Sequence, residues 1–205
     1  DFPKMAKVEF GIDGVEYVNQ FFKDKARDEA YLKELNKRAS DHGVTNVLIM
    51  IDGEGDLSVE DATKRNQAVE NHMKWVDAAA ALGCHAIRIN TGSNYSPTKT
   101  QPAAEACRKL ADYGEKHKIE IICENHGGPS SDPDSLIALI KAVDSKNFGT
   151  LPDFGNFHDY DRYQGVTETM PFAKAVSAKS HDFDAEGNET KTDYIKMMKI
   201  VLAAD

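Results

Sequence analysis

The chain has 205 residues, 40% hydrophobic and 29% charged, the balance of a globular domain rather than a fibre or a disordered tail. Lys and Arg supply 25 charges against 34 from Asp and Glu, a formal net of −9, which argues against nucleic acid as a partner. No apolar run approaches the ~18 residues of a membrane span. Three cysteines (Cys84, Cys107 and Cys123) without a CxxC pair exclude a disulfide framework and fit a reducing compartment. No signal peptide is visible and a cytoplasmic location is expected, although a chain that begins at Asp1 is also compatible with a removed leader.

In chain order, the pattern predicts a helix over 1–9 and a short Ile- and Val-rich strand over 12–18. A helix over 24–42 leads to a strand over 44–51. Ala62, Val69, Met73, Val76 and Ala80 then share one face of a long helix, with Ser58 as its cap and Gly83 as its stop. A strand over 86–89, a helix over 101–117 and a strand over 119–123 follow. Asp132 before Pro133 reads as an N-cap with proline at the first helical position, ahead of Leu136, Ile137, Ile140 and Val143. Strands over 148–151 and, more weakly, 173–178 precede a last helix over 190–203. Short, nearly continuous apolar strands of this kind belong to parallel sheets buried on both faces.

The alternation leaves a doubly wound open sheet or a (β/α)8 barrel. The first predicts a Gly-rich phosphate loop after an early strand, and neither GxGxxG nor GxxxxGK[ST] is present. The strands instead end on polar residues: Glu16, Asp52, Asn90, Glu124, Asp153 and His181. Barrel enzymes place their chemistry on that rim. The expectation is an α/β chain forming one TIM-barrel domain over 1–205, incomplete at both ends, with about six of eight βα units.

Glu124, Asp153 and His181 each end a strand, at separations of 29 and 28 residues, one βα unit apiece. That register sets the three side chains at one height on adjacent strands. Two converging carboxylates repel unless a proton or a cation intervenes. Two oxygens and an imidazole suit one divalent ion, Mn²⁺, Mg²⁺, Co²⁺ or Zn²⁺. A fourth ligand one step further on falls just past Asp205. His126, beside Gly127 and Gly128, and Lys179, on the same strand face as His181, are candidates for contacting substrate. Cys123 points away from the rim as a packed thiol, Trp75 is core, and His42, His72, His85 and His117 lie exposed on helices or their ends. His158 and the 93–97 loop are weaker candidates for lining or covering the pocket.

The segments Glu124-Asn125-His126-Gly127-Gly128, Pro152-Asp153-Phe154-Gly155-Asn156-Phe157 and Ala178-Lys179-Ser180-His181-Asp182-Phe183 resemble the sugar phosphate isomerase/epimerase family, the xylose isomerase-like TIM barrels. Gly14-Val15-Glu16-Tyr17-Val18-Asn19 resembles that family's second strand, and the likeness spans essentially the whole chain. It implies a divalent metal held by Glu, Asp, His and a second Glu, the first three falling on Glu124, Asp153 and His181. Where sugar epimerases of the group often carry a His three residues after the metal-binding Asp, this chain has Asn156. It also lacks the additional clustered histidines of the family's three-zinc DNA-repair branch.

A metal chelated by adjacent hydroxyl and carbonyl oxygens acidifies the neighbouring C–H by stabilising an enediolate. Glu124 is then the candidate general base, with His126, Lys179, Asn156 and, more weakly, Glu16 holding substrate hydroxyls. The expected function is a metal-dependent isomerase or epimerase of a sugar, keto-sugar or related polyol. Two alternatives stay open: a dehydratase or lyase of the same fold, similar to inosose dehydratase, and a non-catalytic sugar-binding barrel. Partners are limited to that small molecule, with no membrane or nucleic acid, and self-association is left open.

Overall fold

The computed structural model describes residues 1–204. Five strands form one parallel sheet in sequence order: β1 (Gly14–Val18), β2 (Thr45–Met50), β3 (Ala86–Ile89), β4 (Glu120–Glu124) and β5 (Phe148–Leu151). The helices are α1 (Phe2–Phe10), α2 (Glu29–Ser40), α3 (Ala62–Leu82), α4 (Ala103–His117), α5 (Pro133–Val143), α6 (Arg162–Thr169) and α7 (Tyr194–Leu202). The result is an α/β arc, a partial TIM barrel. None of the helices is long and apolar enough to cross a membrane.

Side-chain alternation along each strand divides the sheet into two faces. Ile49, Ile87, Ile89, Ile121 and Cys123 join the large core beneath the helices, which also holds Trp75. Leu48, Ala86, Ile122 and Leu151 form a smaller apolar cluster on the other face, the inside of the arc. Glu124 follows Ile122 by two residues, Arg88 follows Ala86 and Asp153 follows Leu151. The period of two therefore delivers a charged side chain to the inner rim just above the last apolar one.

Aspartate caps set the helix starts, each carboxylate accepting from a first-turn N–H: Asp28 from Tyr31, Asp61 from Thr63 and Lys64, Asp132 from Ser135, Asp161 from Gln164 and Asp193 from Lys196. Asp61, not Ser58, caps α3. Ser58 is instead drawn into the preceding loop, where its hydroxyl donates to Asp56 Oδ1 at 2.7 Å and accepts from the Asn94 N–H at 2.8 Å. His72 is another correction. It is 2% exposed, with Nδ1 2.7 Å from the Ala68 carbonyl, because α3 packs against both α2 and α4.

The segment 173–178 does not form a sixth strand. It meets β5 and its extension at two parallel bridges, Thr150 to Ala173 and Asp153 to Ser177. Pro152 lies between them; its carbonyl accepts from Ser177 N–H at 2.9 Å, but proline has no N–H with which to continue a ladder.

Gly114 in α4 supplies a stability prediction. A Cβ there would stand 2.4 Å from the Ile119 carbonyl oxygen and 3.0 Å from both Asn147 Nδ2 and Ile121 Cδ1. Gly→Ala within a helix ordinarily gains about 1 kcal/mol. At this position the sign reverses, because α4 would have to lift off β4, and overpacking costs roughly 1–3 kcal/mol. A lowered urea midpoint for Gly114→Ala is the expected result; an unchanged or raised one would show that α4 can retreat freely.

Candidate active site

The chain just beyond the strands is held in place by asparagine side chains. Asn19, fully buried, donates to the Asp52 carbonyl and accepts from the Asp52 N–H, both at 2.9 Å. Asn125, also fully buried, treats Asp153 in the same way, at 3.0 and 2.7 Å. A buried amide that satisfies both backbone groups of one residue fixes where that residue's side chain starts. Asp52 and Asp153 are thereby set on the rim on either side of Glu124.

Charges alternate across the rim. Arg88, 4% exposed, donates from Nη1 to Asp52 Oδ1 at 2.9 Å, and Asn90 Nδ2 donates to that same oxygen at 2.8 Å. On its other side, Arg88 Nε lies 2.9 Å from Glu124 Oε2. Its N–H is not aimed at that oxygen, so Nε is left without a hydrogen bond despite the close ion pair. Glu124 Oε1 faces the opposite way and accepts a long bond, 3.4 Å, from Asn156 Nδ2. Lys179 Nζ donates to Asn156 Oδ1 at 3.0 Å and stands 3.7 Å from Asp153 Oδ2. Asp153, 1% exposed, also accepts from Gly155 N–H at 2.7 Å and from Ser177 Oγ at 3.0 Å.

Glu124 and Asp153 adjoin each other. Burial, reinforced by Asp153, pushes the Glu124 carboxyl up from 4.5 to about 7, against the pull of Arg88 and Lys179. His126, whose N–H is fixed by Ser130 Oγ at 2.9 Å, has its imidazole pKa lowered by burial and by Arg88.

The structure thus brings together Glu124, Asp153, Asn156 and Lys179, with His126 two residues from Glu124. It does not bring His181 to them. Among the described residues no three His, Cys, Asp or Glu side chains are close enough to hold an ion. His181 lies beyond the last bridge to the sheet, and its N–H is bonded at 3.0 Å to Glu189 Oε1 in the following loop. Its ring rests against Gly155, where a Cβ would stand 2.2 Å from Cε1. Glu16 is exposed at the open edge of the arc, three strands from Glu124. His158 is exposed as well.

Arg88 is the residue that sequence reasoning missed. Its signal was a lone cation in Ala86-Ile87-Arg88-Ile89, two residues before a strand-end Asn and so on the inner face. As to a divalent ion, the hard oxygen pair of Glu124 and Asp153 fits one, since a cation offsets both the burial and the repulsion from Asp153 that raise the Glu124 pKa. The His181 imidazole stays packed against Gly155 instead.

The xylose isomerase-like TIM barrel family model matches residues 6–201, and the chain belongs to that family. No curated protein matches it. Among solved structures, a D-tagatose 3-epimerase-like protein superposes with a TM-score of 0.79 at 17% identity, over 95% of this chain and 79% of that one. The probable 3-DHS dehydratase AsbF of Bacillus anthracis gives 0.78 at 17%, over 100% and 84%. A xylose isomerase-like TIM barrel protein of Mycobacterium smegmatis, solved with magnesium, gives 0.72 at 19%, over 96% and 75%. At these identities the likeness speaks for the fold.

Proposed function

We propose that the chain is a divalent-metal-dependent isomerase or epimerase that acts on a sugar, keto-sugar or polyol through an enediolate. The observation that carries this reading is the buried Glu124–Asp153 pair, with Glu124 poised near neutral pH between Arg88 and Asn156. Glu124 and Asp153 would hold the ion, with His181 turned from Gly155 to join them. When bound, the ion supplies positive charge beside the substrate oxygens on which negative charge develops.

The chain's own residues do the rest. Glu124 removes the proton beside the carbonyl as general base. Lys179 and Asn156, already joined to each other, present an ammonium and an amide to substrate hydroxyls. His126 offers an imidazole from the opposite side, and Glu16 remains a candidate only for a substrate that reaches the open edge. Loss of a β-hydroxyl begins with the same proton removal, so a dehydratase would share these groups and differ in its product.

Metal content and a substrate panel test the reading. About one Mn²⁺, Mg²⁺, Co²⁺ or Zn²⁺ per chain is expected, with a raised melting temperature that Asp153→Asn removes. Solvent deuterium should enter ketoses at the carbon beside the carbonyl. Indifference of both stability and exchange to added metal and to EDTA would leave a sugar-binding barrel.

A further inference from the structure

A cavity of about 490 Å³ opens between the ends of β2, β3 and β4, on the β2 side of Glu124. Its polar lining consists of Asp56, Asn90, Thr91, Ser93, His126 and Ser130, and the remainder of its wall is glycine. Neither Glu124 nor Asp153 lines it, so the reacting carbons lie outside and the cavity receives whatever is attached to them. Its volume falls in the range that holds a whole small ligand, ~300–1,000 Å³, more than the tail of a single ketose needs.

The charge of the wall limits what enters. No Lys or Arg lines it, and its carboxylate is Asp56. The guanidinium beneath it, on Arg88, is 4% exposed and committed to Asp52 and Glu124. Lys99 is paired with Glu60 at 2.5 Å, and Lys179 stands beyond Glu124 with Asn156 and Asp153. A phosphate would meet an acid and no cation. A hydroxyl group, which both donates and accepts, matches the amide, hydroxyl, imidazole and carboxylate groups present.

The walls are also pre-formed. Asp56 Oδ1 accepts from the Ser58 N–H and hydroxyl, each at 2.7 Å, and Asn94 Nδ2 donates to the Ser58 carbonyl at 3.2 Å. Gly92, at φ +94°, lets the two loops close, since a Cβ would stand 1.9 Å from Asp56 Oδ1. Ser130 and Ser131 hydroxyls accept from the His126 and Gly127 N–H groups at 2.9 and 2.8 Å.

Resting on the reading that Glu124 acts on a sugar, we infer that this cavity is a subsite for a second, uncharged sugar unit, so that the substrate is a reacting ketose that carries a glycosyl group on one hydroxyl, its own carbonyl carbon left free, and not a sugar phosphate. The full chain, labelled with ¹⁵N and loaded with Mn²⁺-mimicking but diamagnetic Mg²⁺, is titrated with D-fructose, with glucosyl- and galactosyl-fructoses of different linkage (turanose, palatinose and lactulose), with fructose 6-phosphate and with inorganic phosphate. At least one disaccharide should shift the Gly53, Gly92 and Gly127 amides and bind tenfold or more tightly than fructose. Ser93→Trp, which fills the cavity from its exposed lip, should abolish that gain and leave fructose binding unchanged. Shifts of those amides by either phosphate, equal binding of fructose and every disaccharide, or an equal effect of Ser93→Trp on both would overturn the subsite. Absence of deuterium exchange in any ketose, with the disaccharide shifts intact, would instead count against the catalytic reading and leave the subsite standing.

Discussion

Glu124→Gln should lower deuterium exchange and turnover by about 10²–10⁴-fold, the range lost with a general base, while circular dichroism stays that of the parent. The fold survives because the amide keeps the shape of the carboxyl between Arg88 and Asn156. Activity within a few-fold of the parent would remove Glu124 from the proton transfer. The same pair of proteins reads out the raised pKa. In metal-free protein the folded chain keeps a proton on Glu124 that the unfolded chain releases above about pH 4.5. Where the native state binds more protons than the unfolded one, stability falls as pH rises. The parent should therefore lose stability between about pH 4.5 and 7 and level off above, and Glu124→Gln should lack this component. Urea midpoints across that range in EDTA provide the check, and parallel curves would show that burial does not hold the proton.

The second large effect belongs to Arg88. Arg88→Leu would extend the apolar cluster of the inner face but strands Glu124, which is 6% exposed, without its nearest cation. Breaking a buried ion pair from one side costs roughly 3–5 kcal/mol, whereas Asp52, with a side chain 37% exposed, regains water and adds little. Arg88→Lys keeps the charge but cannot span Asp52 and Glu124 with one planar fork, so it should fall between. Chemical denaturation at pH 8, where Glu124 is ionised, measures both. A Leu variant within 1 kcal/mol of the parent would mean that Lys179 or water already neutralises the carboxylate pair.

Much of this architecture is written in local chemistry. The five strands are short apolar runs and α5 carries its Asp132-Pro133 start in plain view, so periodicity and capping find them. Glu124 and Asp153 follow from the repeat length, because a rim residue recurs once per βα unit. What escaped depends on partners remote in sequence. The 173–178 run has strand-like residues, but a neighbour that includes Pro152 cannot complete its ladder. Helix α6, eight residues long, is too short for an apolar stripe to show. His72 reads as a surface residue until α2 and α4 flank its helix. Arg88 looks like a solvated charge until Asp52 and Glu124, 36 residues away on either side, close on it. His181 keeps the spacing of a ligand, yet its backbone is governed by Glu189, a contact that no repeat encodes.

The paired amides of Asn19 and Asn125 imitate a peptide group, offering the neighbouring chain one donor and one acceptor in the order a further strand residue would. Each of the two strand pairs, β1–β2 and β4–β5, is thus lengthened by a single rung after the main chain has already turned away. Reach and curvature are decoupled by this device: the loops can diverge to shape a recess, while the acids they carry stay as firmly placed as if they still belonged to pleated backbone.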